Sequence, residues 1–130
     1  MSRELVESLR RGYEAFLAGD LDVVVDLLDP GIEFRNPDNA IEPGIRHGPE
    51  GFRQALTRVI EAFDYESVEV DELIDRGDVI VIIVHLRGRG KGSGAPIDQR
   101  FGHVWRIRDG RAIAFEWFTD PREALEAVKG

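Results

Sequence analysis

His103 is the residue of this sequence best suited to moving protons, because an imidazole titrates near neutral pH and this one lies at strand spacing between Phe101 and Trp105. A histidine on an apolar strand face serves equally well as a hydrogen-bonded core residue, so the two roles stand side by side. Asn36 and Asp38 flank Pro37 in the run Asn-Pro-Asp-Asn. Their side chains suit hydrogen bonding to a ligand carbonyl or positioning a water, and turn formation explains them as well. Tyr13 falls on the apolar stripe of the first helical segment, where packing is its ordinary role and its hydroxyl is a polar handle.

Other chemistry is excluded or weak. With no cysteine, there is no thiolate nucleophile, disulfide or Cys-ligated zinc. His47, His85 and His103 lack close metal-ligand spacing, so no metal and no cofactor is expected. The run Gly-Arg-Gly-Lys-Gly-Ser-Gly fails the phosphate-loop spacing, since Gly92 follows Lys91 and no helix opens there; it reads as a mobile hairpin tip. Arg87, Arg89, Lys91 and Arg100 lie near it without interleaved aromatics and read as a solvated loop.

The elements that would position these residues are readable from periodicity. Leu5, Leu9, Tyr13, Phe16 and Leu17 recur at helical spacing from Ser2, and Gly19 is the stop. Asp20 then caps a second short helix striped by Leu21, Val24 and Leu28, ended by Asp29-Pro30-Gly31. A short strand is expected from Ile32 to Asn36, with loop on to Gly48. Pro49 opens a third helix carrying Phe52, Leu56, Val59, Ile60 and Phe63.

The second half supplies a sheet for these helices. Glu66 to Ile74 alternates as a half-exposed strand, and the unbroken apolar run Val79 to Val84 predicts a central strand covered on both faces. From Pro96 to Arg108, alternation sends Ile97, Gln99, Phe101, His103, Trp105 and Ile107 to the interior. Asp109-Gly110 turns the chain into a last strand, Ala112 to Thr119, and Asp120-Pro121 opens a helix through Val128.

The register of that final hairpin decides which side chain faces His103, and two registers are open. A two-residue Asp109-Gly110 loop places Glu116 beside His103; a three-residue loop with a glycine bulge places Trp117 there and turns Ile113, Phe115 and Trp117 to the apolar side. The second is favoured. Phe101, Trp105, Phe115 and Trp117 then line one face, suited to a flat or cyclic apolar molecule.

With 130 residues and a net charge of -8, the chain fits one domain, residues 1–130, that repels phosphate backbones and anionic membranes, so neither nucleic acid nor membrane is an expected partner. No apolar window reaches the roughly 20 residues of a membrane span, and the charged start is not a signal peptide, which makes the cytoplasm the default location.

Three segments carry a family resemblance: AFLAGDLDVVVDLLDPGIEFRNPD, HGPEGFRQAL and GHVWRIRDGRAIAFEWFTDPREALEAV. In this order they resemble the SnoaL-like branch of the NTF2-like superfamily, which includes ketosteroid isomerases. The resemblance implies an α+β cone-shaped roll: a curved antiparallel sheet with three helices in the N-terminal half and a short C-terminal helix around one apolar pocket. It places Asn36 and Asp38 where the pocket opens. It also implies a homodimer paired through the outer sheet face, to which Val104, Arg106 and Glu116 would contribute.

The resemblance does not carry one activity over. In ketosteroid isomerases an aspartate removes a proton while a tyrosine and a neutral aspartic acid bind the enolate oxygen; the matching positions here are Gly12 for the tyrosine, Asn36 for the base and His103 for the second acid. SnoaL-type polyketide cyclases use a histidine and an aspartate. His103 matches the first, and the second falls at Trp117, so Glu116 or Asp38 would have to substitute. The expectation is a cofactor-free acid-base enzyme of isomerase, polyketide-cyclase or hydrolase type acting on a cyclic apolar substrate. The alternative is a non-catalytic module binding a hydrophobic ligand or a protein.

Overall fold

The computed structural model describes residues 2–40 and 42–129. In chain order these form α1 (Ser2–Ala18), α2 (Leu21–Val25), β1 (Leu28–Asn36), β2 (Gly44–His47), α3 (Gly48–Ala62), β3 (Phe63–Asp75), β4 (Val79–Gly90), β5 (Pro96–Arg108), β6 (Arg111–Phe118) and α4 (Pro121–Ala127). The strands make one curved sheet in the order β2-β1-β6-β5-β4-β3. The expected α+β architecture is present, with one correction: the sheet is mixed, because β1 and β6 pair in parallel. Hairpin turns produce only antiparallel neighbours, whereas β6 reaches β1 after the chain has passed through α3 and four strands.

α1 buries Leu5 and Leu9 and packs Tyr13 and Phe16 against the same core, while Leu17 falls off the stripe and is exposed. Gly19 adopts φ +81° and ends the helix as expected. α2 is shorter than its stripe predicts. It stops at Val25, and Leu28 opens β1 instead of closing the helix. Asp29-Pro30-Gly31 lies inside the strand, at the irregularity between Leu28 and Glu33 in the pairing with β6. Proline is tolerated there because no regular ladder bond needs its missing N–H.

The stretch up to Gly48 is not all loop, since Gly44–His47 forms edge strand β2 against β1. β4 also runs to Gly90, beyond the apolar segment that announced it. Gly88 makes this possible: a Cβ there would lie 2.2 Å from the Asp64 carbonyl oxygen, so only glycine admits this approach of β3. The Gly-rich run is the tip of the β4–β5 hairpin, and Arg87, Arg89 and Arg100 face Asp98, Glu66 and Asp71 in ion pairs.

β4 is covered on both faces, as its unbroken apolar run predicts. Ile80, Ile82, Val84 and Leu86 join the main core with α1 and α3, while Val81 and Ile83 pack with Val104 and Ala124 beneath α4. Val104 is therefore buried, which removes it from the expected outward row; Arg106 and Glu116 remain half-buried on that side. Asp120 caps α4 by accepting the Arg122 backbone N–H at 2.9 Å.

The seating of α4 depends on Gly102. A Cβ at Gly102 would stand 2.4 Å from the Ala124 Cβ and 3.2 Å from the Pro121 Cα. Gly102→Ala is expected to push α4 from the sheet and cost about 1–3 kcal/mol, the usual penalty for overpacking. Urea unfolding followed by circular dichroism checks this, and an unchanged midpoint would show that α4 moves freely.

Candidate functional site

The β5–β6 hairpin determines which residues meet. Arg108 pairs with Arg111 across a two-residue turn in which Asp109 has φ 52° and Gly110 φ 75°, the left-handed pair of a type I′ turn. The register then shifts between Arg106 and Ile107, so that Arg106 faces Ala114 and His103 faces Trp117. The favoured register is the one adopted, but its cause differs from the expected three-residue loop. The extra residue is Ile113, two paired positions beyond the turn, which corrects its assignment to the apolar face with Phe115 and Trp117. Glu116 pairs with Val104 on the opposite face and cannot serve His103.

On the concave side, β5, β6 and β1 form a wall with α1 and α3 packed over it, enclosing a cavity of about 810 Å³. Phe34, Phe52, Trp105 and Phe115 form its tightly packed base, with Phe52 in edge-on contact with Phe34 and Phe115. Tyr13, Asn36, Phe101, His103, Trp105, Phe115 and Trp117 all line this space. Asp38 does not; it is exposed in the turn after β1.

Tyr13 links the two β5 side chains at the inner end. Trp105 Nε1–H donates to the Tyr13 hydroxyl oxygen at 3.0 Å, and that hydroxyl lies 2.6 Å from His103 Nδ1. An indole can only donate, so the tyrosine oxygen accepts from Trp105, and its single proton goes to the acceptor in reach, His103 Nδ1. This assigns the proton of neutral His103 to Nε2. Among the described residues Nε2 has no hydrogen-bond partner, and no fully buried side-chain polar atom is left unpaired. Nε2 is therefore open to the cavity that His103 lines.

Burial makes this neutral form strongly preferred. Removed from bulk water, His103 has its pKa lowered to about 3 by desolvation. Desolvation also raises the Tyr13 pKa, only partly offset by the bond from Trp105, so the phenol stays protonated. His103 at this position is a hydrogen-bond donor through Nε2–H and a weak base. Nearer the opening, Asn36 accepts from Trp117 Nε1 at 2.9 Å and donates to the Gly44 carbonyl at 3.3 Å, which commits its amide to holding Trp117 and β2.

Sequence reasoning missed several cavity residues. Phe52 and Leu56 were legible on the apolar face of the third helix but not as lining, and Phe34 was not singled out. Glu42, Arg46 and Arg58, at the rim, were not singled out at all. A cluster elsewhere resembles a metal site: Glu69, Asp71 and His85, on the outer face of β3 and β4, bring ligand atoms within 4.8 Å of one another. Two of its three members already have partners, since Arg100 donates to Asp71 at 2.6 Å and His85 Nε2 bonds Asp98.

The chain belongs to the SnoaL-like domain family, whose pattern matches residues 9–115. No curated protein matches it. Among solved structures it is similar to an NTF2-like protein of unknown function from Burkholderia pseudomallei K96243, with 28% identity, 97% of this chain and 98% of that one covered, and a TM-score of 0.79. It also resembles a protein from Jannaschia sp. CCS1 provisionally named a SnoaL-like polyketide cyclase (24% identity, 97% and 92% covered, TM-score 0.80). A third is TerC, co-crystallised with polyporic acid (22% identity, 94% and 95% covered, TM-score 0.77). Among the described residues no helix is long and apolar enough to cross a membrane.

Proposed function

We propose that the protein holds a cyclic apolar molecule in this cavity and polarises a carbonyl of that molecule with neutral His103, a role suited to an isomerase or cyclase. The supporting observation is the Trp105–Tyr13–His103 chain, which fixes the imidazole tautomer and leaves Nε2–H open to an apolar space. A donor fixed in low dielectric stabilises negative charge developing on a carbonyl oxygen without reorganising. Phe101, Trp105, Phe115 and Trp117 supply flat apolar surface for the rest of the ligand. On this reading the chain is one domain, cytoplasmic, and paired as a homodimer through its outer sheet face.

One observation favours the non-catalytic alternative. Removing a carbon-bound proton needs a base, and among the described residues the only carboxylate lining the cavity is Glu42, at the rim and held by two arginines. The test is a panel of cyclic ketones, epoxides and polyketide-like compounds, screened by quenching of Trp105 and Trp117 and by product analysis. Turnover lost in His103→Gln with quenching retained supports the catalytic role. Quenching without turnover in the native protein establishes a binding module, and no quenching by any compound removes the ligand reading.

A further inference from the structure

The cavity rim carries a charge arrangement at odds with the rest of the molecule. The chain has a net charge of -8, yet the formally charged side chains lining the cavity, among the described residues, are one carboxylate and two guanidinium groups, a net +1. Arg46 projects from β2 and Arg58 from α3, and both reach the same carboxylate. Arg46 Nη2 donates to Glu42 Oε2 at 3.0 Å, and Arg58 Nη1 donates to Glu42 Oε1. Gly51 assists by letting α3 sit close to Arg46, since a Cβ there would already lie 3.3 Å from the Arg46 Cβ.

The Glu42 carboxylate thus marks where a carboxylate binds at this opening. It occupies the space between two cations from different elements, on the segment that joins β1 to β2. A ligand whose ring system fills the apolar cavity and whose anionic group emerges at the rim would find the same two guanidinium groups. It would displace Glu42 from them. Arginine favours carboxylates by matching them with paired N–H donors.

We propose that the ligand is an amphipathic monoanion, a cyclic apolar body bearing one carboxylate-type group, which exchanges with Glu42 for Arg46 and Arg58. This rests on the pocket reading above and adds the ligand's charge and the point at which it is read. Glu42 acts as an internal competitor: it keeps the arginines paired in the free protein and disfavours neutral ligands that cannot replace it.

The test uses two probes that share an aromatic body and differ in charge, anilinonaphthalene sulfonate and neutral N-phenylnaphthylamine. The chain has two tryptophans, and both line the cavity, so probe emission sensitised by tryptophan excitation reports binding there. The sulfonate should bind the native protein more tightly than the neutral probe. Arg58→Gln should weaken the sulfonate about 3- to 5-fold and Glu42→Gln should tighten it by a similar factor, the range expected for part-exposed ion pairs. The neutral probe should respond to neither. Sulfonate binding that ignores both substitutions, or is weaker than neutral binding, overturns the proposal while leaving the pocket intact. If neither probe is sensitised, the pocket reading fails and takes this one with it. Glu42→Gln alters one exposed side chain, so it remains informative even where an arginine variant folds poorly.

Discussion

Tyr13→Phe should cost about 2–4 kcal/mol of folding stability, although it removes a single oxygen and keeps the ring. The hydroxyl serves two partners at once, accepting from Trp105 and donating to His103. Its loss leaves an indole N–H and an imidazole nitrogen unpaired, and each buried orphan costs about 1–3 kcal/mol. Ring packing is largely preserved, since Tyr13 still lies nearly parallel to His103, at 14° and 5.6 Å between centroids. Urea unfolding followed by circular dichroism measures the effect. A loss below about 0.5 kcal/mol would mean that water in the cavity satisfies both groups. The tautomer of His103 would then not be set by the tyrosine.

The placement of this network was partly legible in the sequence. Strict alternation along β5 puts His103 and Trp105 on one face, and the helical stripe of α1 brings Tyr13 to the same core; both follow from local periodicity alone. That Tyr13 meets His103 was not legible. The two are 90 residues apart, and their contact depends on how α1 lies across the sheet. The parallel pairing of β1 with β6 was invisible for the same reason. The rim was lost locally: β2 is four residues long, Gly-Ile-Arg-His, with too little alternation to distinguish it from loop, and it carries Arg46.

The bulge at Ile113 shows how one residue determines the character of the site. An unbroken ladder from the Asp109-Gly110 turn would have set Glu116 opposite His103, putting a carboxylate in the cavity and favouring protonated imidazole. With the extra residue, Phe115 and Trp117 face inward, and His103 meets Phe115 edge-on at 4.9 Å. The wall of the cavity stays apolar and the imidazole neutral. The apolar pattern alone favoured the second outcome; the turn could not decide, because a type I′ turn is compatible with either and the bulge lies outside it.

His103→Gln should flatten the acid side of the stability profile. An unfolded histidine titrates near 6.5, whereas His103 in the folded protein titrates at about 3 because burial disfavours the imidazolium. Between those values the unfolded chain binds more protons at this site, so stability rises with pH. The contribution is full above about pH 6.5 and is lost as pH falls toward 3. For one such group the loss between about pH 7.5 and about pH 5 amounts to about 2 kcal/mol, in a range where most carboxylates are still ionised. Glutamine keeps a side-chain amide for Tyr13 but cannot titrate. Unfolding free energies of the two proteins from urea titrations should therefore differ at pH 7.5 and draw together by about 2 kcal/mol at pH 5. Parallel profiles would show that His103 protonates in the folded state as it does in the unfolded one. The cavity would then be wet enough to host an imidazolium, and His103 would be a general base near neutral pH instead of a fixed donor.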